Sequence, residues 1–204
     1  MKLSRTARVA APALAALALT MALAGPASAD PALVTRNGGQ ILFTAQPGET
    51  NTVTFSTSGG FFQVQDTTSV LIPGPGCVQF GNPNTVRCGS PTGLTRILAS
   101  LGDRDDQATN ETSIPSDLIG GEGQDRLIGG FGPDRLMDSD GWSVSPGSTT
   151  TFEGRTGNDT IISRNGGLDR IDCGENPGDF DLLLADSALI DFVVPSTCEF
   201  TQRA

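Results

Sequence analysis

The chain has 204 residues with 23 acidic side chains against 13 basic ones and no histidine, a formal net charge of -10 and a calculated pI of 4.3. Such acidity repels nucleic acid and anionic membrane surfaces and attracts cations. Without histidine, and with Lys2 as its one lysine, the chain lacks most nucleophile and base arrangements, and it contains no G-x-S-x-G elbow.

At the N-terminus Lys2, Arg5 and Arg8 precede an apolar stretch from Val9 to Ala24, and Ala27-Ser28-Ala29 offers small residues for cleavage. This pattern predicts a signal peptide over 1-29, cut before Asp30, and a secreted, extracellular product. The stretch is interrupted by Pro12 and Thr20 and is too short for a spanning helix, and no later segment is apolar enough to cross a bilayer. Removal of 1-29 leaves 175 residues holding all 23 acids but only ten arginines, a net charge of -13.

Residues 30-100 balance three acids against three arginines, whereas 101-204 hold twenty acids against seven. The neutral segment alternates apolar and polar residues, as in Thr52-Val53-Thr54-Phe55-Ser56 and Gln63-Val64-Gln65. It is punctuated by Ser58-Gly59-Gly60 and Pro73-Gly74-Pro75-Gly76. This predicts a β-rich region over 30-100 with no helix.

The acidic segment is regular when written in nines. Gly120-Gly121-Glu122-Gly123-Gln124-Asp125-Arg126-Leu127-Ile128 runs directly into Gly129-Gly130-Phe131-Gly132-Pro133-Asp134-Arg135-Leu136-Met137. Two leading glycines, a third glycine, the aspartate and the leucine match in phase, which a solvated acidic tail or a flexible loop has no reason to produce. Residues 154-162 repeat the pattern with Asp159 and Ile161. Residues 164-172 keep Asp169 and Ile171 without the leading glycines, and 101-109 form either a degenerate copy or a solvated acidic turn.

These residues resemble the hemolysin-type, or RTX, calcium-binding nonapeptide repeat family. Asn51-Thr52-Val53-Thr54-Phe55, the Gly76-Cys77 to Val86-Arg87-Cys88 segment and Leu101-Gly102-Asp103 are similar to the N-terminal region of secreted calcium-binding repeat proteins of high-GC Gram-positive bacteria. The resemblance implies an all-β fold: a short calcium-binding β-roll or β-solenoid with β caps, the N-terminal one over 30-100 and the C-terminal one closing 101-204. It implies Ca2+ held by Asp125, Asp134, Asp159 and Asp169. The turn backbone at Gly121, Gly123, Gly130 and Gly132 lets carbonyl oxygens approach the ion. Leu127, Leu136, Ile161 and Ile171 then belong to the core.

The pattern also departs from the family. Asp134 and Asp159 stand 25 residues apart, and Asp159 and Asp169 ten, neither a multiple of nine. The stretch from Asp138 to Phe152, around Trp142, reads as a loop pushed out of the roll, so one or two sites are expected rather than four. Asp179, Asp181, Asp186 and Asp191 read first as solvated positions on the final strands. EF-hand spacings fail at Ala108 and Trp142, and a zinc site lacks ligands.

Four cysteines allow three connectivities, of which Cys77 with Cys88 and Cys173 with Cys198 close the shortest loops. Three functions follow as expectations: a non-catalytic secreted protein that folds on calcium; an adhesin or polysaccharide binder at a cell surface, using Phe61, Phe62, Phe131 or Trp142; and a calcium-dependent polysaccharide lyase with an arginine base among Arg126, Arg135 and Arg170. The first is the preferred reading, and the lyase is disfavoured because these arginines directly follow the repeat aspartates, where they screen carboxylate repulsion.

Overall fold

A computed structural model describes residues 30-138, 149-174, 176-187 and 190-203. The described residues are all-β, as the sequence implies, and contain no helix long and apolar enough to cross a membrane.

The N-terminal part consists of β1 (Ala32–Asn37), β2 (Gln40–Thr44), β3 (Thr52–Ser58), β4 (Phe61–Asp66), β5 (Leu71–Pro73), β6 (Val78–Phe80) and β7 (Asn82–Arg87). Its ladders are mostly antiparallel: β1 with β2, β3 with β4, β4 with β7 and β6 with β7. The β3–β4 hairpin turns at Gly59 and Gly60, both at positive φ (59° and 81°), the two-residue geometry that suits the twist of paired strands. The Cys77–Cys88 disulfide ties this region together.

From β8 (Arg96–Asp103) onward the chain winds as a parallel solenoid. Its coils are β8 with β9 (Gln107–Asn110), β10 (Ser116–Glu122) with β11 (Arg126–Ile128), β12 (Arg135–Met137) with β13 (Thr151–Glu153), β14 (Thr160–Ser163) with β15 (Arg170–Asp172), and β16 (Leu182–Ala185) with β17 (Phe192–Val193), followed by β18 (Phe200–Arg203). Successive coils stack in parallel register, giving two nine-stranded sheets. Sheet A runs β18-β16-β14-β12-β10-β8-β2-β1-β5, and sheet B runs β17-β15-β13-β11-β9-β3-β4-β7-β6. The N-terminal strands thus extend both sheets and share their core. Phe43 from sheet A meets Phe55 from sheet B edge to face at 6.1 Å between ring centres.

The core follows from the position two residues after each repeat aspartate. Leu127, Leu136, Ile161 and Ile171 are fully buried, and Leu118, Phe152 and Leu183 occupy the same place in other coils. Each contributes about 1.5–3 kcal/mol by leaving water. Phe152 therefore corrects the expected extent of the extruded loop. Thr151–Glu153 is a sheet B strand paired with both neighbours, and of the expected loop, residues 139-148, including Trp142, lie outside the described residues.

At the C-terminal end β16, β17 and β18 close the acidic region by continuing the parallel stack. Cys173–Cys198 links its last turns, so the favoured connectivity holds for both bridges. Two disulfides fit an oxidising compartment.

Candidate functional site: two acidic ladders between coils

Every coil has a turn from sheet A to sheet B and another back, and the residue closing each turn stacks on its equivalent in the next coil. On one side the column reads Ser116, Asp134, Asp159, Asp181 and Glu199. The Ser116 amide donates to Asp134 (2.7 Å), that of Asp134 to Asp159 (2.8 Å), that of Asp159 to Asp181 (2.7 Å), and that of Asp181 to Glu199 (2.8 Å). On the other side Asn51, Asp106, Asp125, Thr150, Asp169 and Asp191 are joined in the same way, at 2.7 Å from Asn51 to Asp106 and 2.9 Å from Asp106 to Asp125. One side-chain oxygen per turn, the Thr150 hydroxyl in one case and a carboxylate in the others, thus satisfies a backbone donor of the preceding coil, a structural use that needs no ion.

The four expected ligands divide between the columns, Asp134 and Asp159 in one and Asp125 and Asp169 in the other. All four are buried. Their second oxygens differ. Oδ2 of Asp125, Asp159 and Asp169 is buried without a hydrogen-bond partner, as is Oδ2 of Asp106. Both oxygens of Asp134 are satisfied: Oδ1 accepts from the Ser116 amide and hydroxyl, and Oδ2 from the Gly130 amide at 2.5 Å. Burial raises the pKa of Asp125 and Asp169 to about 7 and that of Asp106 and Asp159 to about 8, with neighbouring carboxylates adding to the effect. Asp134 is raised too, chiefly by burial, against the hydrogen bonds from Ser116 and Gly130.

Sequence reasoning missed Asp106 as a definite member, and it placed Asp181 and Asp191 on a solvated surface. The structure corrects both: Asp181 and Asp191 are buried ladder residues. The full glycine set of the repeat is missing there, with only Gly102 before Asp106 and Gly178 before Asp181, but the aspartate and the apolar residue two positions on remain: Asp106-Gln107-Ala108, Asp181-Leu182-Leu183 and Asp191-Phe192-Val193. Asp179 and Asp186 lie nearer the surface and accept amide hydrogens from Gly157 and Gly166.

The glycines act through space rather than flexibility alone. A β-carbon at Gly121 (φ 107°) would lie 2.0 Å from the Gly102 carbonyl oxygen, and one at Gly123 (φ 138°) 1.9 Å from that of Arg104. At Gly130 and Gly132 it would meet the Thr112 and Ser113 carbonyl oxygens at 2.3 and 2.4 Å. Coils therefore stack with carbonyl oxygens turned toward the next turn. Gly154 faces both Asp159 Oδ2 and the Cys173 carbonyl oxygen, and Gly129 faces both Asp134 Oδ2 and the Gly154 carbonyl oxygen.

Buried oxygens lacking donors, beside inward-turned carbonyls, suit a hard cation ligated by oxygen. Among the described residues no three acidic side chains converge as a metal-binding group. A cation here would therefore be held by one or two carboxylates and by backbone carbonyls. Asp106 with Asp125, Asp159 and Asp169 fit that role, whereas Asp134 is already committed to protein donors.

The arginines that follow the aspartates point outward. Arg126 pairs with Glu153 at 2.9 Å, and Arg170 lies against the Phe192 ring at 5.7 Å. Of the expected carbohydrate-contacting aromatics, Phe62 is fully buried in the core and Phe61 and Phe131 are exposed.

Fold and ladders together define a two-sheet parallel β-solenoid with acidic turn columns. No protein-family model, curated protein or solved structure matches the chain.

Proposed function

We propose that this is a secreted, non-catalytic calcium-binding repeat protein whose solenoid is stabilised by Ca2+ outside the cell. The observation that carries the reading is the set of buried, unpartnered Oδ2 atoms on Asp106, Asp125, Asp159 and Asp169. Each is an anionic oxygen removed from water with no donor, and its raised pKa records the cost. A divalent cation between coils would neutralise these oxygens and join adjacent turns. The metal supplies charge and coordination, while the chain supplies the carboxylates, the turn carbonyls and the disulfide-tied ends. Binding and folding are then linked, and calcium affinities of extracellular modules, about 0.1–1 mM, suit a protein that becomes rigid after export.

Isothermal titration of Ca2+ into the chain, with Mg2+ as control, tests the reading. Calcium-selective heat that is reduced in Asp125→Asn and Asp159→Asn, and retained in Asp134→Asn, is expected. No calcium heat, or equal responses to both metals, contradicts it.

A second reading as a polysaccharide-binding adhesin is favoured by one surface feature. The Arg87 guanidinium lies 3.3 Å from the centre of the Phe80 ring and 5.2 Å from that of Phe61, both exposed on the outer face of sheet B. Loss of glycan binding in Phe80→Ala with unchanged melting would support it.

A further inference from the structure

The two sheets use the same strand pattern, with one inward residue flanked by outward ones, yet their outer faces differ. Along sheet B the outward row Gln107, Arg126, Thr151, Arg170 and Phe192 is polar up to its last residue, and the next row carries Thr109, Ile128, Glu153 and Asp172. Along sheet A the equivalent row aligns Leu42, Leu98, Asp117, Arg135, Thr160, Leu182 and Phe200. The neighbouring row carries Ile119, Ile162 and Leu184. Leu182 and Phe200 are 36% and 59% exposed, and a shallow groove of about 250 Å3 between Leu42, Leu98 and Ile119 opens on this face. Solenoid geometry does not require so many apolar side chains there, because the equivalent rows of sheet B hold only Ile128 and Phe192 among the described residues.

We propose that the outer face of sheet A is a self-association surface, on which a second copy of this chain packs sheet to sheet about a two-fold axis. Charge argues for this occupant. The chain from Asp30 carries -13, so two copies repel over most of their surfaces. In the two rows of this face the one acid is Asp117, and its carboxylate is held by Arg96 in a two-pronged pair at 2.7 and 2.5 Å. Arg135 leaves the strip without net negative charge, so like-charged copies approach there at little electrostatic cost.

The dimensions also suit a dimer. Nine strands at about 4.8 Å spacing give a face about 38 Å long. A strip about 15 Å wide along it buries about 1,100 Å2 over two copies, which reaches the roughly 1,000 Å2 expected of a specific interface. One face meeting its own copy is an isologous contact and closes without forming fibres.

Sedimentation equilibrium on the chain from Asp30, which contains every described strand, tests this in calcium buffer over the micromolar range. The wild type is expected to sediment as a dimer. Leu98→Asp, which places an unpaired charge in the interface, should weaken association at least about 100-fold. Thr151→Asp, on the outer face of sheet B, should leave it unchanged. If Leu98→Asp fails to give the wild-type circular dichroism spectrum, Leu98→Gln and Leu184→Gln replace it. A monomeric wild type overturns the proposal, as does a dimer that Leu98 and Leu184 substitutions leave intact.

Discussion

Asp159→Asn separates a carboxylate that waits for a cation from one that only bridges coils. Asp159 is 1% exposed; its Oδ1 accepts the Asp134 amide at 2.8 Å and its Oδ2 has no donor. Asparagine keeps an oxygen for the amide and removes the charge. The carboxyl's shift from 3.8 to about 8 corresponds to a folding cost on the order of 5 kcal/mol at pH 7.5 for the ion-free chain. An amide group with unmet donors offsets about 1–3 kcal/mol of that gain. In chelator at pH 7.5, Asp159→Asn should therefore raise the unfolding free energy by about 2 kcal/mol or more. In calcium that gain should shrink by about 1.4 kcal/mol at ten times the dissociation constant, because the variant loses the increment from an occupied site. Urea denaturation at matched pH reads both values. A variant equally destabilised in chelator and in calcium would refute the reasoning, since the charge would then be needed for the ladder itself.

The ion-free chain should lose stability as pH rises. The folded-state values of Asp106, Asp125, Asp159 and Asp169 lie above 3.8, so their contribution is complete below about pH 4 and disappears through pH 7–8; melting temperatures in chelator between pH 5 and 8 should fall, and calcium should flatten the slope. Gly121→Ala should cost more than about 3 kcal/mol, because it combines left-handed strain with a backbone clash, whereas Gly60→Ala, with nothing within 4 Å of the added carbon, should cost about 1 kcal/mol; chemical denaturation of the pair measures the difference. Replacing Cys173 and Cys198 together by serine removes a 25-residue closure worth about 3 kcal/mol in the chain-entropy model, and should increase hydrogen exchange in β17 and β18 before the rest of the sheets.

The fold was legible because the repeat fixes phase. Leu127, Leu136, Ile161 and Ile171 stand two residues after an aspartate and are all fully buried. The irregular gaps have a simple origin. Spacings along the two columns are 18, 25, 22 and 18 residues on one side and 19, 25, 19 and 22 on the other. The 25-residue gap in each column spans the same segment, 139-148, and the 22-residue gap the same lengthened turn before Asp181. A search for strict nines loses phase at those places. The shorter signal, an aspartate or hydroxyl residue followed two positions later by an inward side chain, survives through Thr150 with Phe152 and Asp191 with Val193. Which carboxylates keep a free oxygen was not legible at all. Asp134 and Asp159 occupy equivalent places in the nonapeptide, and only the Gly130 amide, delivered by the turn backbone, distinguishes them.

The central claim is that calcium completes the ladders, and the measurement that tests it most directly is the melting temperature of the chain from Asp30 across a calcium titration around 1 mM, starting from chelator and repeated with magnesium. A calcium-specific rise that saturates and is lost in Asp125→Asn together with Asp159→Asn is the predicted result. A melting temperature that is the same in chelator, calcium and magnesium would contradict it, leaving the aspartates as hydrogen-bonding spacers between coils.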